Sequence, residues 1–210
     1  MKLLILSVFV IVCINTQAQT MVGVNSDGTA IYAPVGGNFI HIDQVGSNNT
    51  TKVTQDGDGH SAVVTAGSVV SPVEYNMFSI TQTGGAKTAT IDLKSGMNNT
   101  LSTLQEGTGN HNANITNFIG SGNQVSVYQG GAGNHTFNVT NPTSATNNGN
   151  VVNATQTGGT GANKQFDLQF NGATGASVTI QQTNPTQPDQ GGMNIQCNPC
   201  GAGNWSYIRF

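Results

Sequence analysis

The 210-residue sequence contains very few charged residues. Lysine and arginine number 6 and aspartate and glutamate 9, together 7% of the chain, whereas an ordinary soluble domain has roughly 25%. The net charge of −3 is too small for charge-driven disorder and provides no basic surface for nucleic acid. Glutamate occurs only at Glu74 and Glu106, so general acid–base catalysis has few candidates. The composition therefore argues against an enzyme and against a nucleic-acid-binding protein.

The sequence also lacks an apolar run long enough to span a membrane, which takes ~20 residues. The apolar run from Leu3 to Ile14 is shorter, follows Lys2, and is followed by the small residue Ala18. This order is typical of a secretory signal peptide. We therefore predict a signal peptide at residues 1–18, an exported mature protein, and no membrane-spanning segment.

Asparagine, threonine, glutamine, serine and glycine dominate instead, and they form an internal repeat. Apolar and polar residues tend to alternate before each Gln-x-Gly tripeptide, as in a β-strand with one buried face. A Gly/Asn-rich turn follows, because these residues tolerate positive φ angles. The repeat therefore predicts alternating strands and turns. The tripeptide begins at Gln44, Gln55, Gln82, Gln105, Gln129 and Gln156.

The predicted strands alternate along the chain between two sets, and one strand of each set would form a rung. The sequence therefore predicts an all-β fold, a β-solenoid of about six two-strand rungs over residues 38–183. Strands of the first set end at Gln55, Gln82, Gln105, Gln129, Gln156 and Gln182, and those of the second at Gln44, Ala66, Leu93, Asn117, Asn141 and Phe170. The positions two and four residues earlier are mostly apolar and share one face of each strand. The predicted apolar core comprises Ile40, Ile42, Val53, Phe78, Ile80, Ile91, Leu93, Ile115, Val125, Val127, Phe137, Val139, Phe166, Leu168, Val178 and Ile180.

Glutamine in an inward column requires partners, since a buried amide without hydrogen bonds costs ~1–3 kcal/mol. If the rungs stack, each amide can bond the amides above and below it. We expect the first set to be the more regular, because the second keeps glutamine only at Gln44. The predicted ladder and self-assembly residues are Gln44, Gln55, Gln82, Gln105, Gln129, Gln156, Gln182, Asn117 and Asn141.

The two ends of such a solenoid are open β edges. Monomeric β proteins protect their edges with lysine, proline or bulges, and the few charges here form no such row. β-Favouring residues, low charge and amide ladders are the signature of cross-β structure. The favoured interpretation is a subunit that polymerises end to end into cross-β fibres. The alternative is a monomeric surface β-solenoid with capped ends that binds a host surface, ice or a ligand.

The pattern Gln-x-Gly-x-Gly-Asn-x-Ala-x-x-x-Gln resembles the repeat of curlins, the subunits of bacterial curli amyloid fibres. Residues 44–55 follow it with Thr51 in place of alanine, and residues 55–62 follow it with His60 in place of asparagine. Residues 105–110 and 129–134 match the turn half of the pattern. The resemblance covers about residues 38–183.

This resemblance implies a secreted structural subunit, major or minor, of curli-like functional amyloid fibres on the bacterial cell surface, with roles in biofilm matrix and adhesion. The implied partners are further copies of the chain, other curlin-like subunits, and a curli-type secretion channel with its chaperones. Residues 19–37 would be the N-terminal secretion segment. No cofactor is implied.

The tail at residues 184–210 breaks the repeat and is predicted to cap the last rung or to anchor the subunit to a partner. It contains Cys197 and Cys200 as a C-x-x-C pair, interpreted as a local disulfide, with an intermolecular cross-link or a metal site as alternatives. His111 and His135 occupy equivalent turn positions, so stacking would bring them near one another. We interpret them as replacements for asparagine, with a pH-sensitive or metal-binding pair as the alternative.

Overall fold

A computed structural model of the chain describes residues 19–24, 30–34, 36–67, 73–116, 119–141, 145–196 and 203–210. The predicted signal peptide, Asn117, Cys197 and Cys200 lie outside the described residues. The chain divides into two units, Met1–Val35 and Gly36–Phe210. In the first unit, strand β1 (Gln19–Val24) pairs antiparallel with β2 (Ala30–Pro34).

The second unit is built from two parallel sheets, each with seven strands within the described residues. We call them the glutamine sheet and the facing sheet. A short parallel pair, β4 (Gly46–Ser47) and β7 (Val73–Glu74), lies outside both. The facing sheet comprises β3 (Phe39–Asp43), β6 (Ser61–Thr65), β9 (Lys87–Thr90), β11 (His111–Ile115), β13 (His135–Thr140), β15 (Lys164–Asn171) and β17 (Asp189–Gln196). The glutamine sheet comprises β5 (Thr50–Gly57), β8 (Met77–Gly84), β10 (Thr100–Gln105), β12 (Gln124–Gly131), β14 (Val151–Gly158), β16 (Ser177–Gln182) and β18 (Asn204–Arg209).

The chain alternates between the sheets, so one strand of each forms a rung. Rung 1 is β3 with β5, rung 2 is β6 with β8, and so on to rung 7, β17 with β18. The described residues contain no helix, and in that part of the chain nothing helical is long and apolar enough to cross a membrane. The prediction of an all-β solenoid with two-strand rungs is confirmed.

The structure extends the solenoid one rung beyond the predicted boundary at residue 183. β17 pairs in parallel with β15, and β18 pairs in parallel with β16. Pro185 and Pro188 lie between β16 and β17, where they interrupt no ladder. The sequence of the tail lacks the glutamine of the repeat, because Arg209 stands at the register position of Gln182 and its counterparts.

The predicted core residues lie between the sheets. Those from Phe78 to Ile180 are at most 1% exposed, and each fully buried aliphatic or aromatic side chain contributes ~1.5–3 kcal/mol. Ile40, Ile42 and Val53 are only half-buried, because rung 1 has a neighbouring rung on one side. The core is thus a set of apolar columns that run from rung to rung.

In five of the six Gln-x-Gly tripeptides, all except the one that begins at Gln156, the glycine marks a place where consecutive repeats touch backbone to backbone. At Gly107, where φ is +91°, a Cβ would lie 2.4 Å from the carbonyl oxygen of Gly131. Gly84 meets Gly107 in the same way, at 2.3 Å. These turns therefore need glycine both for the positive φ angle and for the spacing of ~4.8 Å between rungs.

Substituting alanine at Gly107 tests this close approach. Gly149→Ala is the matched control, because Gly149 also has a positive φ of +61° but has no atom within 4 Å of a Cβ. We expect the control to lower the free energy of unfolding by ~1–2 kcal/mol through backbone strain alone. Gly107→Ala should lower it clearly further, because the next rung must shift. Equal losses in urea titrations of the two variants would contradict the contact.

Candidate assembly site

Six glutamines of the glutamine sheet form one continuous amide ladder. The Nε2 of each glutamine from Gln55 to Gln156 donates to the Oε1 of the glutamine in the next rung, at 2.7–2.9 Å. Each Nε2, including that of Gln182, also donates to a backbone carbonyl of the facing strand in its own rung, at 2.9–3.0 Å. Each amide therefore joins two rungs and also joins the two sheets.

The facing sheet has no equivalent ladder at the predicted positions that the structure describes. The Nε2 of Gln44 donates to Thr51 Oγ1, and the Nδ2 of Asn141 donates to the carbonyl oxygen of Ala145 at 2.7 Å. The other members of this column include Ala66 and Leu93, which have no amide to offer. Gln44 and Asn141 therefore have local partners instead of stacked ones, and Asn117 lies outside the described residues.

A second amide ladder, which the sequence analysis missed, runs through the turns before the glutamine strands. The Oδ1 of each asparagine except the last accepts from both the backbone N–H and the Nδ2 of the asparagine in the next rung, at 2.9–3.1 Å. The sequence does contain a pattern that could have predicted this ladder, an asparagine six residues before the ladder glutamine in five consecutive rungs. Asparagine is also common in turns for local reasons, so the pattern alone does not indicate stacking. The members are Asn49, Asn76, Asn99, Asn123 and Asn150.

A column of titratable side chains occupies the turns on the opposite side, before the strands of the facing sheet. The rings of His111 and His135 stack with centroids 4.8 Å apart and planes 2° apart. Their Nε2 atoms donate to the carbonyl oxygens of Glu106 and Gly130, at 2.8 and 3.0 Å, which assigns the Nε2–H tautomer to the neutral rings. In rung order, the column comprises His60, Lys87, His111, His135, Lys164 and Asp189.

The histidines and lysines of this column are held by backbone oxygens. His60, Lys87, His111, His135 and Lys164 are at most 1% exposed. The Lys87 ammonium donates to three carbonyl oxygens, those of Gly85, Gly107 and Gly109, each at 2.8 Å. Within the described residues, no group of three or more His, Cys, Asp or Glu side chains could hold a metal ion.

Burial weakens the basicity of the two stacked histidines of this column. It lowers the pKa of His111 to about 4, opposed by the hydrogen bond to Glu106 and assisted by the neighbouring His135 and Lys87. Burial also lowers the pKa of His135, opposed by the hydrogen bond to Gly130 and assisted by Lys164. The folded state therefore favours neutral imidazoles.

The strand ladders and the inward columns of side chains stop at rung 1 and at rung 7. Among the described strands, those of rung 1 pair only with rung 2, and those of rung 7 pair only with rung 6. Six inward apolar residues of the end rungs are only half-buried, whereas their counterparts in the inner rungs are buried. They are Ile40, Ile42 and Val53 at one end and Met193, Trp205 and Tyr207 at the other, where Ile195 is itself buried.

The glutamine ladder is incomplete at rung 1. Gln55 Oε1 is buried and has no hydrogen-bond partner, because no rung precedes it to supply a donor. At the other end, Gln182 Nε2 donates to the Asp189 carboxylate at 3.0 Å. The ladder therefore ends in an unpaired acceptor on the rung 1 face only.

The fold and the ladder together define a parallel β-solenoid whose rungs are joined by stacked amides. Residues 36–66, which include rung 1 and strand β6, match the family model described as curlin associated repeat. No curated protein matches the chain, and no solved structure matches it either. The chain thus carries a curlin repeat, and the resemblance found in the sequence is confirmed in this segment.

Replacing Gln129 by leucine should break the ladder at its centre. The substitution removes the acceptor for Gln105, the donor for Gln156 and the bond to the Asn112 carbonyl. Because each buried group left unpaired costs ~1–3 kcal/mol, we expect the free energy of unfolding to fall by several kcal/mol. Gln124→Leu is the control, because Gln124 is exposed on the same strand and should shift it by ~0.5 kcal/mol or less. Equal urea midpoints for the two variants would refute the role of the ladder.

The lowered pKa values of His111 and His135 predict acid sensitivity. An unfolded histidine has a pKa near ~6.5, so below that pH the unfolded state binds protons that the folded state binds only at lower pH, near pH 4 in the case of His111. Stability from this pair should be complete above about pH 6.5 and fall as the pH decreases toward 4. His111→Asn/His135→Asn should flatten the pH dependence of the unfolding free energy in that window. Asn112→Ala, at an exposed position on the same strand as His111, is the control and should leave the slope unchanged because neither residue titrates.

Proposed function

We propose that the protein is a secreted structural subunit that assembles end to end into curli-like amyloid fibres. The observation that carries this proposal is the state of the two ends, where parallel strands are unpaired on one side and the apolar and amide columns stop half-covered. The curlin repeat at residues 36–66 supports the same function, since curlins are fibre subunits. By this resemblance the fibres would lie on the bacterial cell surface and act in biofilm matrix and adhesion.

Assembly would use the contacts that already join the rungs. The edge strands of rungs 1 and 7 offer backbone N–H and C=O groups to an added strand, at the ~4.8 Å spacing of a sheet. The inward columns select the register, since a slip of one residue would bury polar side chains. The product would be a cross-β fibre whose strands lie across the fibre axis.

The proposed export route and partners follow from the sequence. They are a signal peptide at residues 1–18, a secretion segment at 19–37, a curli-type channel with chaperones, and other curlin-like subunits. The proposed role is structural and not enzymatic. The alternative of a monomeric binding solenoid requires capped ends, and in the described part of the chain no further strand pairs with the outer edge of either end rung.

The basic test is assembly of the purified protein, released from denaturant and followed by thioflavin fluorescence. A lag, growth, acceleration by seeds, and fibre reflections near ~4.7 and ~10 Å are expected. A β-rich chain that stays monomeric at high concentration would contradict the proposal.

Ser206→Pro should block growth at the rung 7 end without unfolding the subunit. The backbone N–H groups of Ser177 and Thr183 donate to the carbonyl oxygens of Gly203 and Arg209. Every second residue from Gly203 to Arg209 therefore directs its backbone groups toward rung 6. Ser206 has the opposite parity, and its N–H therefore faces the open edge. Proline removes that donor and places its ring in the path of an incoming strand.

The matched control is Ser206→Ala, which removes the exposed hydroxyl but keeps the N–H. In growth assays seeded with wild-type fibres, we expect Ser206→Ala to behave as wild type. Ser206→Pro should keep a β-rich circular dichroism spectrum and cut the elongation rate by tenfold or more. Equal elongation by the two variants would show that this edge does not take part in growth.

A further inference from the structure

The glutamine ladder has a direction, and this direction distinguishes the two ends of the solenoid. Every Nε2 donates toward the higher-numbered rung, so every Oε1 accepts from the lower-numbered one. Gln55 Oε1 is buried without a partner for this reason. A second copy that completes the ladder at rung 1 must therefore bring a hydrogen-bond donor.

The register position of the ladder in rung 7 is occupied by Arg209, which pairs with Gln182. It is the only arginine of the chain, and its side chain is exposed. A guanidinium has five N–H donors and no acceptor. It can therefore supply the hydrogen-bond donor that Gln55 Oε1 lacks.

Asp189 explains why the ladder can change from glutamine to arginine at this rung. Gln182 Nε2 would have no acceptor on an arginine, and it donates to Asp189 Oδ2 at 3.0 Å instead. Asp189 Oδ1 also accepts from the Tyr207 hydroxyl at 3.0 Å, which holds the carboxylate in place. The ladder is thus closed within the copy, while the Arg209 donors remain available to another copy.

The rest of the two end faces agrees with this junction. If the parallel register continues by one rung, Trp205 comes over Thr51 and Tyr207 over Val53, since each pair occupies the first and last place of one column. These side chains are half-buried on both faces. Two rung 7 faces together would instead leave Gln55 Oε1 of both copies without a donor.

We propose that rung 7 of one copy stacks on rung 1 of the next, with the Arg209 guanidinium donating to Gln55 Oε1 across the junction. The partner is a second copy of this chain, and the contact sets both the polarity and the register of the fibre. This inference rests on the assembly proposed above and adds which ends meet and which residues decide it.

Disulfide cross-linking tests the pairing of the ends. Thr54 and Ile208 are exposed and stand at the two ends of one outward column, so across the junction their Cα atoms would lie ~4.8 Å apart, within disulfide range. Thr54→Cys is made on ¹⁵N-labelled chains and Ile208→Cys on unlabelled chains, in a background whose own cysteines are serine. Fibres grown from the mixture are oxidised and the linked peptides are identified by mass spectrometry.

Cross-links that join labelled position 54 to unlabelled position 208 are expected. Lys52→Cys with Ile208→Cys, two residues out of register, is the control and should give at least fivefold less. Fibres dominated by 54–54 or 208–208 links, or equal yields from the control pair, would overturn the junction. If the wild-type chain forms no fibres, the result would instead refute the proposed assembly.

The Arg209 contact is tested by the soluble concentration that remains when fibres are at equilibrium. Arg209→Ala leaves Gln55 Oε1 unpaired, so this concentration should rise about tenfold or more. Arg209→Gln, which keeps an N–H donor, should recover part of that loss. Asn204→Ala, an outward side chain on the same strand, should leave it unchanged. An unaltered concentration for Arg209→Ala, or no recovery by Arg209→Gln, would overturn the role of Arg209.

Discussion

The hydrogen bonding between consecutive rungs is the interaction on which this structure depends. A rung has only two strands, which are marginal alone in water, and it becomes stable when its backbone and its inward amides pair with the rungs above and below. The glutamine amide is central because it bonds the next rung and the facing sheet at once. The glycines of the repeat serve the same stacking, since a Cβ at Gly107 would meet the backbone of the next rung.

In-register stacking also places equivalent residues of successive rungs in columns along the solenoid axis. Apolar residues become apolar columns, and asparagines in turns become a second ladder whose donors point in the opposite direction to those of the glutamines. The same rule places Lys87, His111 and His135 in one buried column. Groups of this kind are costly to bury as cations, and the turn carbonyls that surround Lys87 provide the compensation.

At the two ends of the solenoid, the hydrogen bonding between rungs is incomplete. Inside the chain each rung satisfies the next, whereas rung 1 keeps an unpaired amide oxygen and rung 7 presents an arginine in the ladder column. Folding and assembly of this protein would then be one process, distinguished only by whether the next rung belongs to the same chain. The difference between the ends is chemical, and it gives the proposed fibre a direction.

The periods in the sequence determined the solenoid, the two sheets, the glutamine ladder and the core from Phe78 to Ile180, because alternation and repeat spacing report directly which face of a strand is buried. Only the tertiary structure decided the seventh rung, since the pairing of β17 and β18 depends on β15 and β16 and leaves no glutamine in the tail. It also decided that Asn99 stacks while Asn141 bonds locally, and that Lys87 is buried. The physical reason is that a polar side chain is buried or exposed according to its partner in the next rung. For Asn99 that partner lies 23 or 24 residues away along the chain, beyond the reach of any local pattern.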